Sequence, residues 1–136
     1  MKLTTRSRYG TRLLLDMAEH YNDGPIHLVS IADRQGISVK YLEQIIIPLK
    51  KAMFVKSVRG PKGGHMLAKP PEDINVGEIV ALLEEGANLV DCTDNENACE
   101  RSKTCPTRGI WREAAQAMFE KLESITLADL LKKTEE

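Results

Sequence analysis

Apolar residues recur at helical spacing near the start of the chain. The segment from Thr4 to Tyr21 places apolar side chains three and four residues apart, and Arg12, Asp16 and Glu19 fall on the other side. This pattern is typical of an amphipathic helix that covers a core. Its apolar positions are Leu13, Leu14, Met17, Ala18 and Tyr21. The turn-forming residues 22–25 predict where the helix ends.

Two short segments follow that have the pattern of a helix-turn-helix motif. After an extended piece at residues 26–29, Ser30 is a predicted N-cap for a helix from Ile31 to about Gln35, which Gly36 terminates. A helix that ends at a glycine and is followed closely by a second capped helix is the signature of this motif.

The second helix of the motif is predicted to begin after Ser38. Its apolar residues form one stripe, and most of its polar residues lie on the other side. The stripe consists of Leu42, Ile45, Ile46 and Leu49. Pro48 lacks a backbone N–H and so removes one helical hydrogen bond, and a proline in a helix interior destabilises the helix by about 3 kcal/mol. We therefore expect the helix to kink or restart there.

The next segments predict a β-hairpin. Residues 55–58 and 65–68 are short extended runs on either side of a Gly- and Pro-rich turn at residues 59–64. A helix-turn-helix followed by a hairpin with a basic tip is a winged helix. The predicted fold class is therefore mainly α with a small β-hairpin, a winged helix-turn-helix followed by a long C-terminal dimerisation helix.

The carboxyl half predicts further helices around a long irregular segment. A helix is expected from about Val76 to Glu85, whereas residues 86–106 show no periodicity, and so long a segment is usually functional or disordered. The helical pattern returns at Thr107, and residues 126–129 resemble a capping box. The apolar residues of this last long helix are Ile110, Trp111, Ala114, Ala115, Met118, Leu122 and Ile125. That arc is wide enough for part of it to pack on a second subunit.

Composition and charge divide the chain in two. Its 136 residues, 42% apolar and 29% charged with a net charge of −1, are typical of one globular domain. Residues 1–70 carry 12 basic against 5 acidic residues, a charge of +7, whereas residues 71–136 carry 7 against 15, a charge of −8. We interpret residues 1–70 as a DNA-binding winged helix-turn-helix and residues 71–136 as a sensing and dimerisation region, within one compact unit.

The distribution of apolar residues also indicates the cellular location of the protein. No apolar run approaches the ~20 residues that a membrane-spanning helix needs, and the start of the sequence lacks an apolar signal-peptide segment. We therefore expect a cytoplasmic protein with no membrane partner.

The basic half holds the candidate DNA contacts. Side chains near the N-terminus of a recognition helix enter the major groove, where Gln pairs with adenine and Glu accepts from cytosine, and an Arg on the wing suits a narrow minor groove. The candidates are Ser38, Lys40, Tyr41, Glu43 and Gln44 on the helix with Arg59, Gly60 and Lys62 on the wing. Double-stranded DNA is the expected partner; a protein–protein role for the winged helix is the alternative.

The three cysteines Cys92, Cys99 and Cys105 lie within 14 residues of the acidic half. An odd number in a cytoplasmic chain argues against a disulfide framework. Three thiolates on one segment suit a soft metal or an iron–sulfur cluster, and their C-x6-C-x5-C spacing lacks the close pair typical of zinc. A zinc-stabilised segment and three cofactor-free cysteines remain alternatives. A redox or metal-dependent enzyme has little support, because there is no C-x-x-C and no nucleophile with an adjacent base.

Several motifs together resemble the Rrf-type family of bacterial transcription regulators, and within it the branch of the iron–sulfur cluster regulator IscR. They are Met1–Thr4, Ser7–Tyr9, Gln35–Ser38, Tyr41–Gln44, Ser57–Pro61, Val76–Glu78 and the cysteine segment before Trp111. The resemblance implies a homodimeric repressor or activator that binds a near-palindromic operator. It also implies a cluster, often [2Fe–2S], on the three cysteines, a part for Glu43 in discriminating between DNA sites, and a minor-groove contact by Arg59. Expected targets are genes of cluster biogenesis or of related iron, sulfur and stress responses.

One position departs from that branch. The IscR-like pattern has a histidine three residues after the last cysteine, where this chain has Arg108, and a protonated guanidinium does not ligate iron. The aspartate ligand of a related nitric-oxide-sensing branch is also missing, because Arg8 stands there. The fourth ligand is left open between a partner-subunit residue, an exogenous ligand, a vacant position and a nearby carboxylate (Asp91, Asp94, Glu96 or Glu100). The resemblance offers a second function, a cluster-free regulator of cysteine or sulfur metabolism that senses through a protein partner.

Overall fold

The computed structural model describes residues 3–84 and 104–134, which form six α-helices, one short 3-10 helix and one two-stranded antiparallel sheet. The elements are α1 (Thr5–Glu19), α2 (Leu28–Gln35), α3 (Val39–Lys51), β1 (Val55–Val58), β2 (Gly64–Leu67), a short 3-10 helix (Pro71–Asp73), α4 (Val76–Leu83), α5 (Arg108–Glu123) and α6 (Leu127–Thr134). The predicted fold class, mainly helical with a small hairpin, is confirmed. In these two ranges no helix has both the length and the apolar content needed to cross a bilayer.

Helix α1 lies at the centre of the packing. It contacts α2 and α3 of the helix-turn-helix, and it also contacts α4 and α6 from the carboxyl half. The buried side chains form one cluster that draws on both halves of the sequence, among them Leu13, Leu14, Leu42, Ile45, Ile79, Leu83 and Leu127. Burying such a side chain stabilises the fold by about 1.5–3 kcal/mol. The helix-turn-helix is therefore held against the carboxyl-half helices through α1.

The start of α2 differs from the expectation. The helix begins at Leu28, with His27 at the N-cap position, rather than at Ile31 after a Ser30 cap. The amides of Ser30 and Ile31 both donate to the carbonyl of His27, at 3.0 and 3.4 Å. The first turn thus closes before Ser30 can cap it, and the helix begins without a side-chain cap.

Helix α3 runs from Val39 to Lys51 with Pro48 inside it, so of the two expected effects of the proline the restart does not occur. Leu49, beyond the proline, is fully buried in the same stripe as Leu42 and Ile45. The burial of Leu49 offsets the hydrogen bond that Pro48 cannot donate. At the start of this helix the predicted cap is confirmed, since the Ser38 hydroxyl accepts from the Tyr41 amide at 3.1 Å.

The predicted capping box at the start of α6 is confirmed as well. The Thr126 amide donates to the Asp129 carboxylate at 2.9 Å, and the Asp129 amide donates to the Thr126 hydroxyl at 3.1 Å. These hydrogen bonds hold the pKa of Asp129 below its ordinary value. The reciprocal pair satisfies two backbone amides that have no intrahelical partner at the start of α6.

The hairpin is anchored near its turn to the segment before α2. Strands β1 and β2 pair with Val55 opposite Leu67 and Val58 opposite Gly64. On the far side of β2, Ile26 and His65 exchange two backbone hydrogen bonds of 2.8 Å. Gly64 has φ +149°, and a Cβ there would lie 2.6 Å from the Ile26 carbonyl oxygen. Only glycine therefore allows this close approach.

Candidate nucleic-acid interface

Helix α3 presents a polar edge to solvent. Ser38, Lys40, Glu43 and Gln44 are exposed, whereas Leu42 is buried in the core. The buried stripe fixes the rotation of α3 about its axis. The structure therefore leaves four of the five predicted helix contacts exposed to solvent.

The fifth, Tyr41, lies half-buried between α3 and α1. Its hydroxyl is 2.9 Å from the hydroxyl of Thr5, and its ring packs edge-on against Tyr9 with the centroids 5.8 Å apart. The Arg12 guanidinium lies 5.4 Å from the centroid of the Tyr9 ring. Tyr41 therefore joins α3 to α1, a role that its position in the motif does not reveal.

A buried carboxylate ties α1 to α2. Asp16 is only 1% exposed and accepts hydrogen bonds from the Arg34 guanidinium at 2.6 and 3.0 Å and from the Gln35 amide at 3.0 Å. Burial raises the pKa of Asp16, but the hydrogen bonds from Arg34 and Gln35 outweigh it, so the pKa lies below its ordinary value. This network fixes the first helix of the motif, and no local sequence signal predicts it.

The hairpin tip forms the wing. Arg59, Gly60 and Lys62 are all exposed, and the Gly63 amide closes the turn onto the Gly60 carbonyl at 2.9 Å. Gly60 has φ +108°, in the left-handed region that favours glycine. The predicted wing residues thus lie together at the end of the hairpin, with Gly60 shaping the turn.

A second carboxylate, Glu84, holds the start of α1. It accepts hydrogen bonds from the Thr4 amide, the Thr4 hydroxyl and the Ser7 hydroxyl at 2.8, 2.7 and 2.5 Å. Burial raises the pKa of Glu84, but the hydrogen bonds from Ser7 and Thr4 outweigh it, so the pKa lies below its ordinary value. Glu84 directly precedes the stretch that leads to the cysteines.

The cysteine site lies mostly outside the described residues, which exclude Cys92 and Cys99 together with the four candidate carboxylates. Cys105 is half-buried just before α5, with its sulfur 3.0 Å from the Thr107 hydroxyl. The first residue of α5 is Arg108, whose amide contacts the Cys105 carbonyl at 3.4 Å. Within residues 3–84 and 104–134, no three His, Cys, Asp or Glu side chains lie close enough to hold a metal ion. A thiolate at Cys105 suits iron, whereas the guanidinium of Arg108 does not.

The first half of α5 exposes large apolar side chains. Ile110 is 54% exposed and Trp111 is 41% exposed. Further along, Ala115 and Phe119 are buried, and the helix contacts α4. An apolar patch beside a cysteine-containing segment is thus presented to solvent.

Comparison with known proteins identifies the family. Residues 3–133 match the family model of Rrf2, described as an iron-dependent transcriptional regulator. The chain belongs to the Rrf2 family of transcription regulators. It is 53% identical to the protein rrf2 of Nitratidesulfovibrio vulgaris over 132 residues, covering 97% of this chain and 88% of that protein.

Two solved structures of the family have the same fold. The IscR of T. potens is 41% identical, with a TM-score of 0.81 over 98% of this chain and 88% of that one. CymR, the global cysteine regulator of B. subtilis, is 35% identical, with a TM-score of 0.80 over 98% of both chains. The predicted family, the winged-helix fold and the role as a regulator rather than an enzyme are confirmed by these relatives.

Proposed function

We propose that this Rrf2-family regulator acts in the cytoplasm as a homodimer on a near-palindromic DNA operator, as a repressor or an activator. An iron–sulfur cluster, [2Fe–2S], held by Cys92, Cys99 and Cys105 tunes its site binding. The regulated genes serve cluster biogenesis or related iron, sulfur and stress responses. The polar edge of α3 beside a basic wing is the observation that carries the DNA-binding part.

Shape and charge support the DNA contact. The exposed edge of α3 offers Lys40 for phosphates and Glu43 and Gln44 for base edges. The wing offers Arg59 and Lys62 at its tip. Residues 1–70, which contain both elements, carry a charge of +7, and this charge attracts a polyanion. We propose that Glu43 discriminates between sites and that Arg59 enters the minor groove.

The exposed face of α5 supports the homodimer. Ile110 and Trp111 lie within one helical turn and are about half exposed, so a second copy of α5 would remove both from water. Burial of a large apolar side chain contributes about 1.5–3 kcal/mol, and tryptophan is enriched among residues that dominate binding energy at interfaces. A two-fold dimer also matches the two half-sites of a near-palindromic operator.

The cysteines support the cluster. Cys105 places a thiol at the start of α5, and the other two cysteines precede it by six and 13 positions. The fourth ligand is a nearby carboxylate, a partner-subunit residue or an exogenous group, or the position is vacant. With a carboxylate there, or with the position vacant, we expect a labile and responsive cluster. When bound, the cluster supplies redox and ligand-exchange chemistry.

Anaerobic isolation tests the cluster. We expect coloured protein that carries iron and acid-labile sulfide, and we expect Cys105→Ser to lose most of both while keeping the helical circular-dichroism signal. Binding to a candidate palindrome with and without the cluster follows on the same sample. Wild-type protein that stays colourless and iron-free after anaerobic reconstitution would contradict the cluster, and stoichiometric zinc in native protein would indicate a structural zinc site instead.

Substitution at the wing tests the DNA contact. Arg59→Ala is expected to weaken binding to the specific operator by about 1–3 kcal/mol at fixed salt and to relax specificity, because the truncated side chain no longer reaches the base edges. Lys62→Ala is the matched control from the same turn, and we expect it to weaken binding uniformly across sequences. Unchanged operator affinity of Arg59→Ala in a fluorescence titration would rule out the base-directed role.

A cluster-free regulator of cysteine or sulfur metabolism that senses through a protein partner is the second candidate. It is favoured by the similarity to CymR over 98% of both chains and by Arg108 at the position of the IscR histidine. The metal analysis discriminates between the two, because this candidate requires full operator binding without iron.

A further inference from the structure

A cleft of about 140 Å³ opens between the start of α1 and the recognition helix. It is lined by Arg6 of α1 and by Tyr41, Gln44 and Ile45 of α3. Gln44 belongs to the exposed edge of α3 that faces the bases in the proposed complex. Arg6 therefore borders the same solvent space as a candidate base-reading side chain.

The start of α1 is held in place from two sides. Glu84 accepts three hydrogen bonds from Thr4 and Ser7, and Ser7 is buried. On the other side, the Thr5 hydroxyl contacts the Tyr41 hydroxyl at 2.9 Å. The backbone that carries Arg6 is thereby fixed relative to α3, and a fixed backbone lowers the entropic cost of a contact made by its side chain.

The charged side chains in the first turn of α1 have the opposite sign to the one that a helix N-terminus favours. Helix N-termini favour acidic side chains, yet the first turn of α1 has none and instead carries Arg6 and Arg8. Glu84 supplies a negative charge from another element, within electrostatic reach of Arg6. Glu84 offsets only one of these two charges, so the turn keeps a net positive charge beside the cleft, and this charge favours an anionic ligand.

We propose that Arg6 is a DNA contact, whose guanidinium binds a backbone phosphate next to the bases faced by Gln44. The first turn of α1 thereby becomes a third DNA-contacting element beside α3 and the wing. The planar guanidinium suits bidentate phosphate binding. This inference rests on the proposed DNA-binding function.

The salt dependence of binding tests the contact. A dimer that neutralises about six phosphates has a slope of about −5 for log affinity against log salt. Arg6→Gln is expected to reduce the steepness by about 0.9 for each phosphate that is no longer neutralised, and to weaken binding to specific and unrelated duplexes alike. Arg8→Gln is the matched control, because it removes the same charge from the same turn but does not line the cleft.

Two further measurements separate a local contact from a general effect of charge or of folding. Arg6→Lys keeps the charge and is expected to retain the wild-type slope. In a series of duplexes that each carry one neutral methylphosphonate, one position per half-site should weaken wild-type binding but leave Arg6→Gln binding unchanged. This comparison is made within each protein and holds even if the variant is less stable.

The outcomes distinguish the two levels of the proposal. Wild-type protein that shows no salt-dependent binding to any duplex would overturn the proposed function itself. Wild-type binding with an unchanged slope in Arg6→Gln, an equal reduction in Arg8→Gln, or no methylphosphonate position whose effect depends on Arg6 would overturn the phosphate contact alone.

Discussion

Helices α3 and α5 are both amphipathic, with 13 and 16 residues, but their apolar faces are buried to different extents. The stripe of α3 is buried within the chain, where Leu42 and Leu49 are fully inaccessible to solvent. Helix α5 buries Ala115 and Phe119 and leaves Ile110 and Trp111 about half exposed. The core stripe of α3 is covered within one chain, although Ile47 outside that stripe is 53% exposed. In the first half of α5, residues 3–84 and 104–134 leave Ile110 and Trp111 only partly covered.

The difference in burial suits the two helices to different roles. A recognition helix must hold its outer edge at a fixed orientation, and full burial of the opposite stripe achieves this. A helix whose apolar face remains open is suited to bind a second copy of the chain, with Cys105 just before it. In the proposed dimer, the cysteine segment would therefore lie beside the subunit interface.

A matched pair of truncations tests the comparison with the largest expected effect. Leu42→Ala removes a fully buried side chain and is expected to lower the free energy of unfolding by about 2–5 kcal/mol. Ile110→Ala removes a side chain that is 54% exposed, so its main effect should fall on self-association. Denaturant unfolding across a range of protein concentrations separates them, because only weakened association depends on concentration.

Two results would contradict these roles of α3 and α5. If Ile110→Ala leaves sedimentation of the native protein unchanged at every concentration, the open face of α5 is not the subunit interface. If Leu42→Ala lowers the free energy of unfolding by less than about 1 kcal/mol, well under the usual cost of such a truncation, the stripe of α3 does not fix the recognition helix. Arg112→Ala, at an exposed polar position of α5, is the control and should change neither property.

Sequence signals predict the helix ends at which the capping contact is local. Ser38 as a cap, Gly36 as a terminator and the Thr126–Asp129 box could be predicted because each acts within four residues of its partner. The start of α2 could not, since a backbone turn at His27 closes ahead of the better capping residue Ser30. The continuous path of α3 through Pro48 could not either, because the cost of the proline is local and its compensation, the burial of Leu49, is tertiary.

The candidate site shows the same division. The exposed residues of α3 and of the wing follow from periodicity and turn chemistry, so sequence could place them. The hydrogen bonds that Asp16 and Glu84 accept could not be predicted, because the donors lie 18 to 80 positions away in the sequence. For the same reason, the position of Tyr41 in the motif does not encode its contact with Thr5.

The buried carboxylate of Asp16, which joins α1 to α2 of the helix-turn-helix, makes the stability of this half dependent on pH. Asp16→Asn keeps the shape of the side chain but removes the charge that Arg34 and Gln35 contact, and it is expected to cost about 1.5–3 kcal/mol at pH 7. The folded pKa of Asp16 lies below its ordinary value of 3.8, so this stability is fully present above that value and is lost as the pH falls through the folded pKa.

Urea unfolding of both proteins between pH 7 and pH 3 measures this effect. The difference between wild type and Asp16→Asn should be constant near neutral pH and shrink below about pH 4. Glu84 and Asp129 have pKa values lowered in the same direction, but both are present in each protein and cancel in the difference. A difference that stays constant down to about pH 3 would show that the charge of Asp16 does not stabilise the fold.

The smallest expected effect lies where α3 ends. The Met53 amide donates to Lys50 and the Phe54 amide donates to Leu49, at 3.1 and 3.0 Å, which is the hydrogen-bond pattern of a Schellman motif. Met53 occupies the left-handed position at φ 66°, where a residue with a Cβ is disfavoured by about 1–2 kcal/mol. Its side chain is 65% exposed, so substitution removes little packing.

Met53→Gly is therefore expected to stabilise the fold by about 0.5–1 kcal/mol, because relief of the left-handed conformation exceeds the added entropy of the unfolded chain. Ala52→Gly is the matched neighbour, at φ −84°, and should instead destabilise by a similar amount, since it gains entropy in the unfolded state with no conformational relief. Thermal unfolding of the two variants should thus move in opposite directions. If Met53→Gly instead lowers the midpoint of thermal unfolding, the methionine side chain makes a stabilising contact at the junction between α3 and β1, and this contact outweighs the cost of its left-handed conformation.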